Sequence, residues 1–454
     1  MPQADGGSPE TASASGPGHE AYHPLRDRLV WLILLVYLAL AITYSYVMLL
    51  GQAPDESDRH FPYVRWLAHT WALPSDDPAV TGGNLELHPP LYYLLLTPLY
   101  LASEQFGDMA AMRVLRWTSP FVVLAALLLW LQIIWHACGR QRRSFLFIFA
   151  LTAWWPNLFV DAGAITNDVG AILASVVLLY LVAVKYWHDR TVKVALLLGV
   201  VAGLGALMKA STMPPSFTIL AVALIWQHGR RFYRDGDFWM RGLALAAAFL
   251  AVCGWWYLRN YEIYGALTPF PQGYRGIPYA LSNWEGVLYG YAGPLLVRGL
   301  NGLWASAFAG IVWFPDSTHP VIYNVLRLLS VLAAIGLIIA IRRWRKGELT
   351  IAADQAPALA LACVGFATLW LSALWMAVFV HMAWYQGGRY LLLYLPGLVL
   401  PLGLGLHELF RRLRSPMPYL VTLCWFVFLS FVAWYHIWTY HNPIVRAAIE
   451  AAQK

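Results

Sequence analysis

Charged residues are scarce in this chain of 454 amino acids. Asp, Glu, Lys and Arg together make up 12% of it, whereas 59% of the residues are apolar and 23 are tryptophan. A soluble domain carries about 25% charged residues, so this composition excludes an ordinary soluble protein. It predicts a polytopic membrane protein instead.

Cysteine is also rare, with four residues in the whole chain. Cys253, Cys363 and Cys424 fall within apolar stretches, and Cys138 lies beside a basic loop. This spacing indicates neither a disulfide framework nor a metal–thiolate site. The net charge of +7 gives no reason to expect nucleic acid as a partner, because the basic residues follow the loop pattern of a membrane protein.

Apolar stretches of the length that crosses a bilayer, about 20 residues, recur along the chain. Eleven spans are predicted, at 28–50, 113–137, 144–161, 166–187, 192–209, 211–228, 239–260, 321–342, 356–381, 388–410 and 418–440. They form one transmembrane domain, 28–440, between a disordered cytoplasmic tail at 1–27 and an outer tail at 441–454. The expected fold class is an all-α polytopic membrane protein.

Clusters of Arg and Lys fall on every second loop, for example at 140–143, 230–234 and 342–346. Short loops rich in these residues remain in the cytoplasm, so the N-terminus is predicted inside. Two large loops then lie outside, at 51–112 and 261–320. Chemistry is expected on this outer side, because the other loops there are tight turns.

The apolar run at 90–102 is too short to cross the membrane. A full span there would also move every later basic cluster to the outside, against the rule that places them in the cytoplasm. We therefore expect a half-length helix in the outer interface.

Asp55 and Glu56 stand side by side where the first span ends. Ionisable groups near membrane depth cost about 2.5–3.5 kcal/mol each on insertion scales, so those that topology does not explain are functional candidates. The alternative is a pair of solvated loop acids, with Asp55 and Arg59 forming an ion pair one helical turn apart.

Short motifs that all fall on the predicted outer side follow one another along the chain. They are Pro54-Asp55-Glu56, His88-Pro89-Pro90-Leu91-Tyr92-Tyr93, Thr166-Asn167-Asp168, Met208-Lys209-Ala210-Ser211, Arg259-Asn260 and Gly387-Gly388-Arg389-Tyr390-Leu391. In this order they resemble the GT-C glycosyltransferases, membrane enzymes that use polyprenyl-phosphate sugars. That family includes protein O-mannosyltransferases and aminoarabinose transferases, and the resemblance is strongest to its bacterial carrier-dependent glycosyltransferases.

The resemblance implies a GT-C-like bundle in the plasma (inner) membrane, with its active site on the extracytoplasmic face. Its donor would be a sugar on a polyprenyl phosphate such as undecaprenyl phosphate, and its acceptor a lipid, a glycan or a protein. A phosphate is a good leaving group, so the attacking hydroxyl or amine needs a base more than the phosphate needs an acid. Asp55 is predicted as that base in an inverting transfer, with Glu56 supporting it.

Basic residues at the outer ends of predicted spans are candidates for binding the donor phosphate. Lys209, Arg259 and Arg389 stand at such ends, and Arg and Lys both suit phosphate contacts. The alternative is that these side chains reach toward lipid headgroups. Further residues of the motifs are predicted to line the substrate cavity: His60, His88, Tyr92, Asn167 and Tyr390.

A divalent cation, Mg²⁺ or Mn²⁺, is a further expectation, although metal dependence varies within the superfamily. Carboxylate oxygens from Asp55, Glu56 and Asp168 would be its ligands. Asn167 and Asp168 equally suit the N-cap of the following helix.

Two other functions fit a chain of this kind. A flippase or transporter of lipid-linked sugars would also place charges at membrane depth, and a noncatalytic relative would bind lipid-linked sugar without transfer. Transporters often contain inverted repeats with broken helices, and this sequence shows no such repeat.

Overall fold

The computed structural model describes residues 23–51, 53, 55–74, 88–268, 320–379, 387–413 and 415–441. Most of the predicted outer loop 261–320, most of both predicted tails, and Pro54 lie outside this part. Every regular element within it is helical. The predicted all-α class is therefore confirmed.

The helices are numbered here in chain order. The first eight are α1 (Arg28–Val47), α2 (Phe61–Thr70), α3 (Leu91–Ser103), α4 (Asp108–Arg116), α5 (Thr118–Ala137), α6 (Arg142–Ala153), α7 (Pro156–Ala162) and α8 (Asn167–Tyr180). The others are α9 (Val192–Met208), α10 (Met213–His228), α11 (Gly236–Tyr264), α12 (Pro320–Arg345), α13 (Gln355–Phe379), α14 (Gly387–Tyr390), α15 (Leu395–Phe410) and α16 (Met417–His441).

Each of the eleven predicted spans coincides with a helix or with two consecutive helices. Within the described residues, seven helical segments are long and apolar enough to cross a membrane, and α6 with α7 supplies an eighth if the pair forms one span. This pair bends by 50° at Pro156, whose ring removes a backbone donor from the helix. The chain is thus a multi-pass membrane protein.

The short apolar run near residue 90 forms α3, a helix of 13 residues. At 1.5 Å per residue it extends about 20 Å, less than the roughly 30 Å hydrocarbon core. It packs against α2 and α4. This length is consistent with the prediction that the run does not form a full membrane span.

Glycines allow two pairs of helices to approach closely. A Cβ at Gly199 of α9 would overlap the backbone of Leu245 in α11, and a Cβ at Gly405 of α15 would overlap Ala333 in α12. Small residues at such crossings let helix backbones pack without an apolar driving force between them. These close contacts fix α9 against α11 and α15 against α12.

Ion pairs join the basic loops at one end of the bundle. Arg142 lies 2.7 Å from Asp27 at the start of α1, and Arg140 lies 3.1 Å from Asp354 before α13. The loops that the sequence assigned to one side therefore meet at one end. The predicted first outer loop, α3 and the start of α8 meet at the other end, where the acidic motifs lie.

Candidate active site

A buried ion pair between Glu56 and Arg116 anchors the acidic loop to the bundle. Both side chains are fully buried, and Arg116 donates from Nε to Oε1 at 2.7 Å and from Nη2 to Oε2 at 2.5 Å. Arg116 also donates to the carbonyls of Ser45, Met48 and Leu49. These carbonyls lie at the end of α1, where a helix leaves its last acceptors without intrahelical partners.

The backbone completes the coordination of the Glu56 carboxylate. The amide of Gly51 donates to Oε2 at 2.9 Å, and the amide of Ile165 donates to Oε1 at 3.0 Å. An ionised carboxylate offers about four lone-pair sites, and here four donors occupy them. The predicted supporting role of Glu56 in proton transfer or metal binding therefore does not fit this geometry. Glu56 instead holds three chain segments together.

Asp55 occupies a left-handed backbone conformation, with φ 59° and ψ 9°, immediately before the anchored Glu56. Such a conformation is uncommon for residues other than glycine. Its Oδ2 accepts a hydrogen bond of 2.9 Å from Nη2 of Arg389, and its Oδ1 lies 3.6 Å from Nη1 of Arg59. The carboxylate is 18% exposed, so it stays accessible while two cations flank it.

These two cations determine the charge state of Asp55. Burial alone would raise the pKa of its carboxyl, but the charge and hydrogen bond of Arg389, with a contribution from Arg59, hold that pKa well below its usual range. Asp55 is therefore ionised at neutral pH. The predicted ion pair with Arg59 exists, and the stronger partner is Arg389.

A second acid–base pair joins Asp168 in α8 to Lys209 at the end of α9. Asp168 is buried, and Lys209 donates from Nζ to its Oδ1. Thr166 donates to the other carboxylate oxygen at 3.1 Å. Thr166, rather than Asn167 or Asp168, is the N-cap of α8, because its hydroxyl accepts from the Asp168 amide.

Tyr390 links the two pairs. Nζ of Lys209 lies 4.7 Å from the centre of its ring, and Cζ of Arg389 lies 5.3 Å from it. A cation within about 6 Å of a tyrosine ring is attracted to its face. Two of the three predicted phosphate-binding cations, Lys209 and Arg389, thus lie around one aromatic ring, each paired with a carboxylate.

Two histidines lie beside these pairs. The rings of His60 and His88 are 5.4 Å apart, and Nδ1 of His60 lies 2.8 Å from the hydroxyl of Tyr93. Burial, with the nearby charges of Lys209 and Arg59, lowers the pKa of His88 to about 3. Burial and the neighbouring His88 lower the pKa of His60 as well, so both rings are neutral at pH 7.

Other predicted cavity residues lie close to this centre. The hydroxyl of Tyr92 accepts from the Thr166 amide at 3.1 Å, and Nδ2 of Asn167 lies 3.5 Å from Nδ1 of His88. Nε2 of His88 and Oδ1 of Asn167 are buried and have no hydrogen-bond partner within the described residues. Free polar atoms of this kind suit a bound substrate, because burial without a partner is costly.

Arg259 has other contacts. It donates from Nη2 to the carbonyl of Pro74 at 2.7 Å, and its guanidinium lies 5.3 Å from the ring centre of Trp256. Its predicted role in phosphate binding remains a prediction, since these contacts tie it to the chain that follows α2. Lys209 and Arg389 are the predicted cations that the structure brings together.

Two further buried residues lie in this region, and one of them, Arg116, escaped the sequence reasoning. Arg116 lies near the outer end of a predicted span, where positive-inside topology gives no reason for a cation, and this signal could have identified it. Asp161 in α7 is 3% exposed, and its Oδ2 has no hydrogen-bond partner among the described residues. It lies within electrostatic range of Asp168, Lys209 and Arg389, and so belongs to the same centre.

The predicted metal ligands do not fit a divalent cation. Asp55 pairs with Arg389, Glu56 with Arg116 and Asp168 with Lys209, so each carboxylate already faces a positive charge. In the part of the chain that the structure describes, no three His, Cys, Asp or Glu side chains gather as ligands. The predicted cluster of Asp55, Glu56 and Asp168 is therefore not formed.

No protein-family model and no curated protein sequence matches the chain. Solved structures do match it. ArnT from Cupriavidus metallidurans, bound to undecaprenyl phosphate, is 14% identical, with a TM-score of 0.50 over 90% of this chain and 71% of ArnT.

The oligosaccharyltransferase of Archaeoglobus fulgidus also matches. Its complex with zinc and sulfate is 15% identical, with a TM-score of 0.51 over 89% of this chain. Its form tethered to an acceptor peptide is 12% identical, with a TM-score of 0.52 over 90% of this chain. The chain spans 53% and 55% of these two structures, so it corresponds to about half of that enzyme. At such identities the likeness concerns the fold, and the chain has the GT-C fold of these membrane glycosyltransferases.

Proposed function

We propose that this protein is an integral membrane glycosyltransferase. It transfers a sugar from a polyprenyl-phosphate donor to a hydroxyl or amine of a lipid, glycan or protein on the extracytoplasmic face of the inner membrane. The observation that supports this most is the paired arrangement of Asp55 with Arg389 and Asp168 with Lys209 around Tyr390. It combines a base with two cations suited to a phosphate.

The donor phosphate enters this arrangement as a competing anion. Arg389 and Lys209 are both paired with carboxylates, and a phosphate that contacts them shares their charge. Arg can contact phosphate oxygens in a bidentate manner, while Lys acts as a point charge. ArnT, which shares the fold, was crystallised with undecaprenyl phosphate, and this supports a polyprenyl phosphate as the carrier.

Donor binding also prepares Asp55 to act as a base. A carboxylate whose pKa is held low accepts a proton poorly, because a general base works best with a pKa near the working pH. When the phosphate draws Arg389 away, the pKa of Asp55 rises. Asp55 then takes the proton of the acceptor as its oxygen or nitrogen attacks the anomeric carbon, the bond from that carbon to the phosphate oxygen breaks, and the phosphate leaves with the electron pair.

The neutral histidines suit this step. Because His60 and His88 carry no charge, they do not compete with Lys209 and Arg389 for the phosphate. Nε2 of His88 is free to contact a sugar hydroxyl.

A single displacement at the anomeric carbon inverts the configuration of that carbon.

The test uses protein reconstituted in vesicles with a radiolabelled undecaprenyl-phosphate sugar and cell-envelope fractions as acceptors. Asp55→Asn should lower transfer by about 10²- to 10⁴-fold, the range of general-base catalysis, and should not weaken donor binding. Asp58→Asn is the matched control, because Asp58 lies in the same turn with a side chain 66% exposed. Movement of labelled donor across the vesicle membrane without any transfer would show a flippase instead, and binding alone would show a noncatalytic relative.

A further inference from the structure

A cavity of about 260 Å³ lies at the end of the bundle far from Asp55. Cys138 on its wall follows Arg116 along one continuous helical segment, Asp108–Ala137. The 22 positions from 116 to 138 correspond to about 33 Å at 1.5 Å per residue. This is close to the hydrocarbon thickness of about 30 Å. The cavity and the candidate active site therefore lie at opposite faces of the membrane.

One side of the cavity is cationic. Glu408 near the end of α15 is 7% exposed and faces three guanidinium groups, with Arg343 at 3.2 Å, Arg411 at 2.7 Å and Arg412 at 3.5 Å. Arg343 and Arg411 line the cavity directly. Arg343 also contacts the half-exposed Glu348 at 3.3 Å. Two carboxylates, Glu408 and Glu348, face these three guanidinium groups, which leaves one positive charge uncompensated, so the site attracts an anion.

The other side of the cavity is apolar. Leu337 and Ile341 of α12, Leu359 of α13 and Leu404 of α15 line it. Trp344 at its edge is 50% exposed, and aromatic rings of this kind gather where a membrane meets water. An occupant must therefore be anionic at one end and apolar at the other.

We propose that this cavity binds an anionic phospholipid of the surrounding bilayer. Its phosphate contacts Arg343 and Arg411, and the beginning of one acyl chain lies against Leu337 and Leu404. Pockets for drug-sized ligands measure about 300–1,000 Å³, so the cavity holds a headgroup and part of a chain but no whole lipid. Basic pockets between membrane helices bind anionic headgroups in this manner. The site is separate from the proposed glycosyl transfer, which occurs at the other face.

Native mass spectrometry of the purified protein tests this proposal. Dioleoyl phosphatidylglycerol should bind more tightly than phosphatidylcholine with the same chains. Arg411→Gln should weaken phosphatidylglycerol binding about fivefold, as expected for one basic contact. Arg412→Gln is the matched control: Arg412 contacts the same Glu408 at 3.5 Å but does not line the cavity, so its effect should be smaller than twofold.

A second variant tests the apolar side without a change of charge. Ala340→Phe places a ring in the cavity and should weaken phosphatidylglycerol binding as much as Arg411→Gln does. Equal binding of the two lipids, equal effects of Arg411→Gln and Arg412→Gln, or displacement by inorganic phosphate alone would overturn the proposal. If Ala340→Phe fails to fold, the comparison of Arg411→Gln with Arg412→Gln still tests the proposal.

Discussion

Arg389 donates a hydrogen bond of 2.9 Å to Asp55 across 334 positions of the sequence. This contact joins α14, one of the last three helices, to the loop between α1 and α2. It also sets the charge state of the candidate base, because the Arg389 guanidinium holds the pKa of the Asp55 carboxyl below its usual range. A donor phosphate that competes for Arg389 would couple substrate binding to the basicity of Asp55.

The pH dependence of transfer should reveal this coupling. The proposed base must be ionised, so kcat/KM of the wild-type protein should remain flat as the pH falls to about 5, above the ordinary aspartate pKa of about 3.9. In Arg389→Gln the main cation is absent and burial raises the pKa of Asp55, so the acidic fall in kcat/KM should move to higher pH. Profiles between pH 4.5 and 8 measure the shift.

Arg65→Gln provides the control for this profile. Arg65 lies in α2, which follows the loop of Asp55, and its side chain is 55% exposed and paired with Asp108. The substitution removes the same charge from this end of the bundle, so its acidic limb should coincide with that of the wild type. An unchanged limb in Arg389→Gln would show that Arg389 does not set the basicity of Asp55.

Donor affinity should depend on the two cations around Tyr390. Lys209→Gln should raise the dissociation constant of the donor about 10- to 100-fold, as expected for the loss of a hydrogen bond to a charged group. Lys209→Arg retains the charge and should restore most of the affinity. Binding of radiolabelled donor to the Asp55→Asn form, which cannot turn it over, measures this. If Lys209→Gln in the Asp55→Asn form binds the donor as tightly as Asp55→Asn alone, the donor phosphate does not contact Lys209.

Arg259 can be tested in the same assay. Its contacts with Pro74 and Trp256 lead us to expect that Arg259→Gln changes donor affinity less than Lys209→Gln does. An effect as large as that of Lys209→Gln would show that Arg259 reaches the phosphate, as the sequence motif suggested.

Much of the fold could be predicted because a membrane span is a local property of the sequence. The length of the apolar stretches alone predicted eleven segments that the structure shows as helical. The spacing of the arginines predicted that the basic loops lie at one end of the bundle. The bend at Pro156 was less visible, because the apolar stretch continues through it. The structure places Asp55, Lys209 and Arg389 from these motifs in one region, and their roles in transfer stay predictions.

The partners within the site could not be predicted in the same way. Glu56 meets Arg116 over 60 positions, and Asp168 meets Lys209 over 41. Such pairs depend on how the helices pack, and a local sequence pattern does not predict that packing. The three acids Asp55, Glu56 and Asp168 therefore suggested a metal site, whereas in the structure each has its own cation.

The Glu56–Arg116 pair should contribute strongly to stability. Removal of one partner of a buried ion pair leaves an uncompensated charge and costs about 3–5 kcal/mol. Arg116→Met and Glu56→Met should each lower the melting temperature sharply, and the double variant should lose less than the sum of the two. Thermal unfolding of the four proteins in one detergent provides this double-mutant cycle. Additive losses would show that the two side chains do not interact.

His88 should make the folded protein less stable in acid. Its folded pKa is about 3 and that of an unfolded histidine is about 6.5, so between these values the unfolded chain binds a proton that the folded chain does not. Stability therefore falls as the pH drops from about 6.5 toward 3. His88→Asn removes this contribution, so its melting temperature should decline less between pH 7 and pH 4.5 than that of the wild type. His23→Asn, at an exposed position, is the control and should follow the wild type. Parallel curves for wild type and His88→Asn would mean that His88 has the same pKa in the folded and the unfolded chain, and the site would then carry a third cation beside Lys209 and Arg389 only below about pH 6.5.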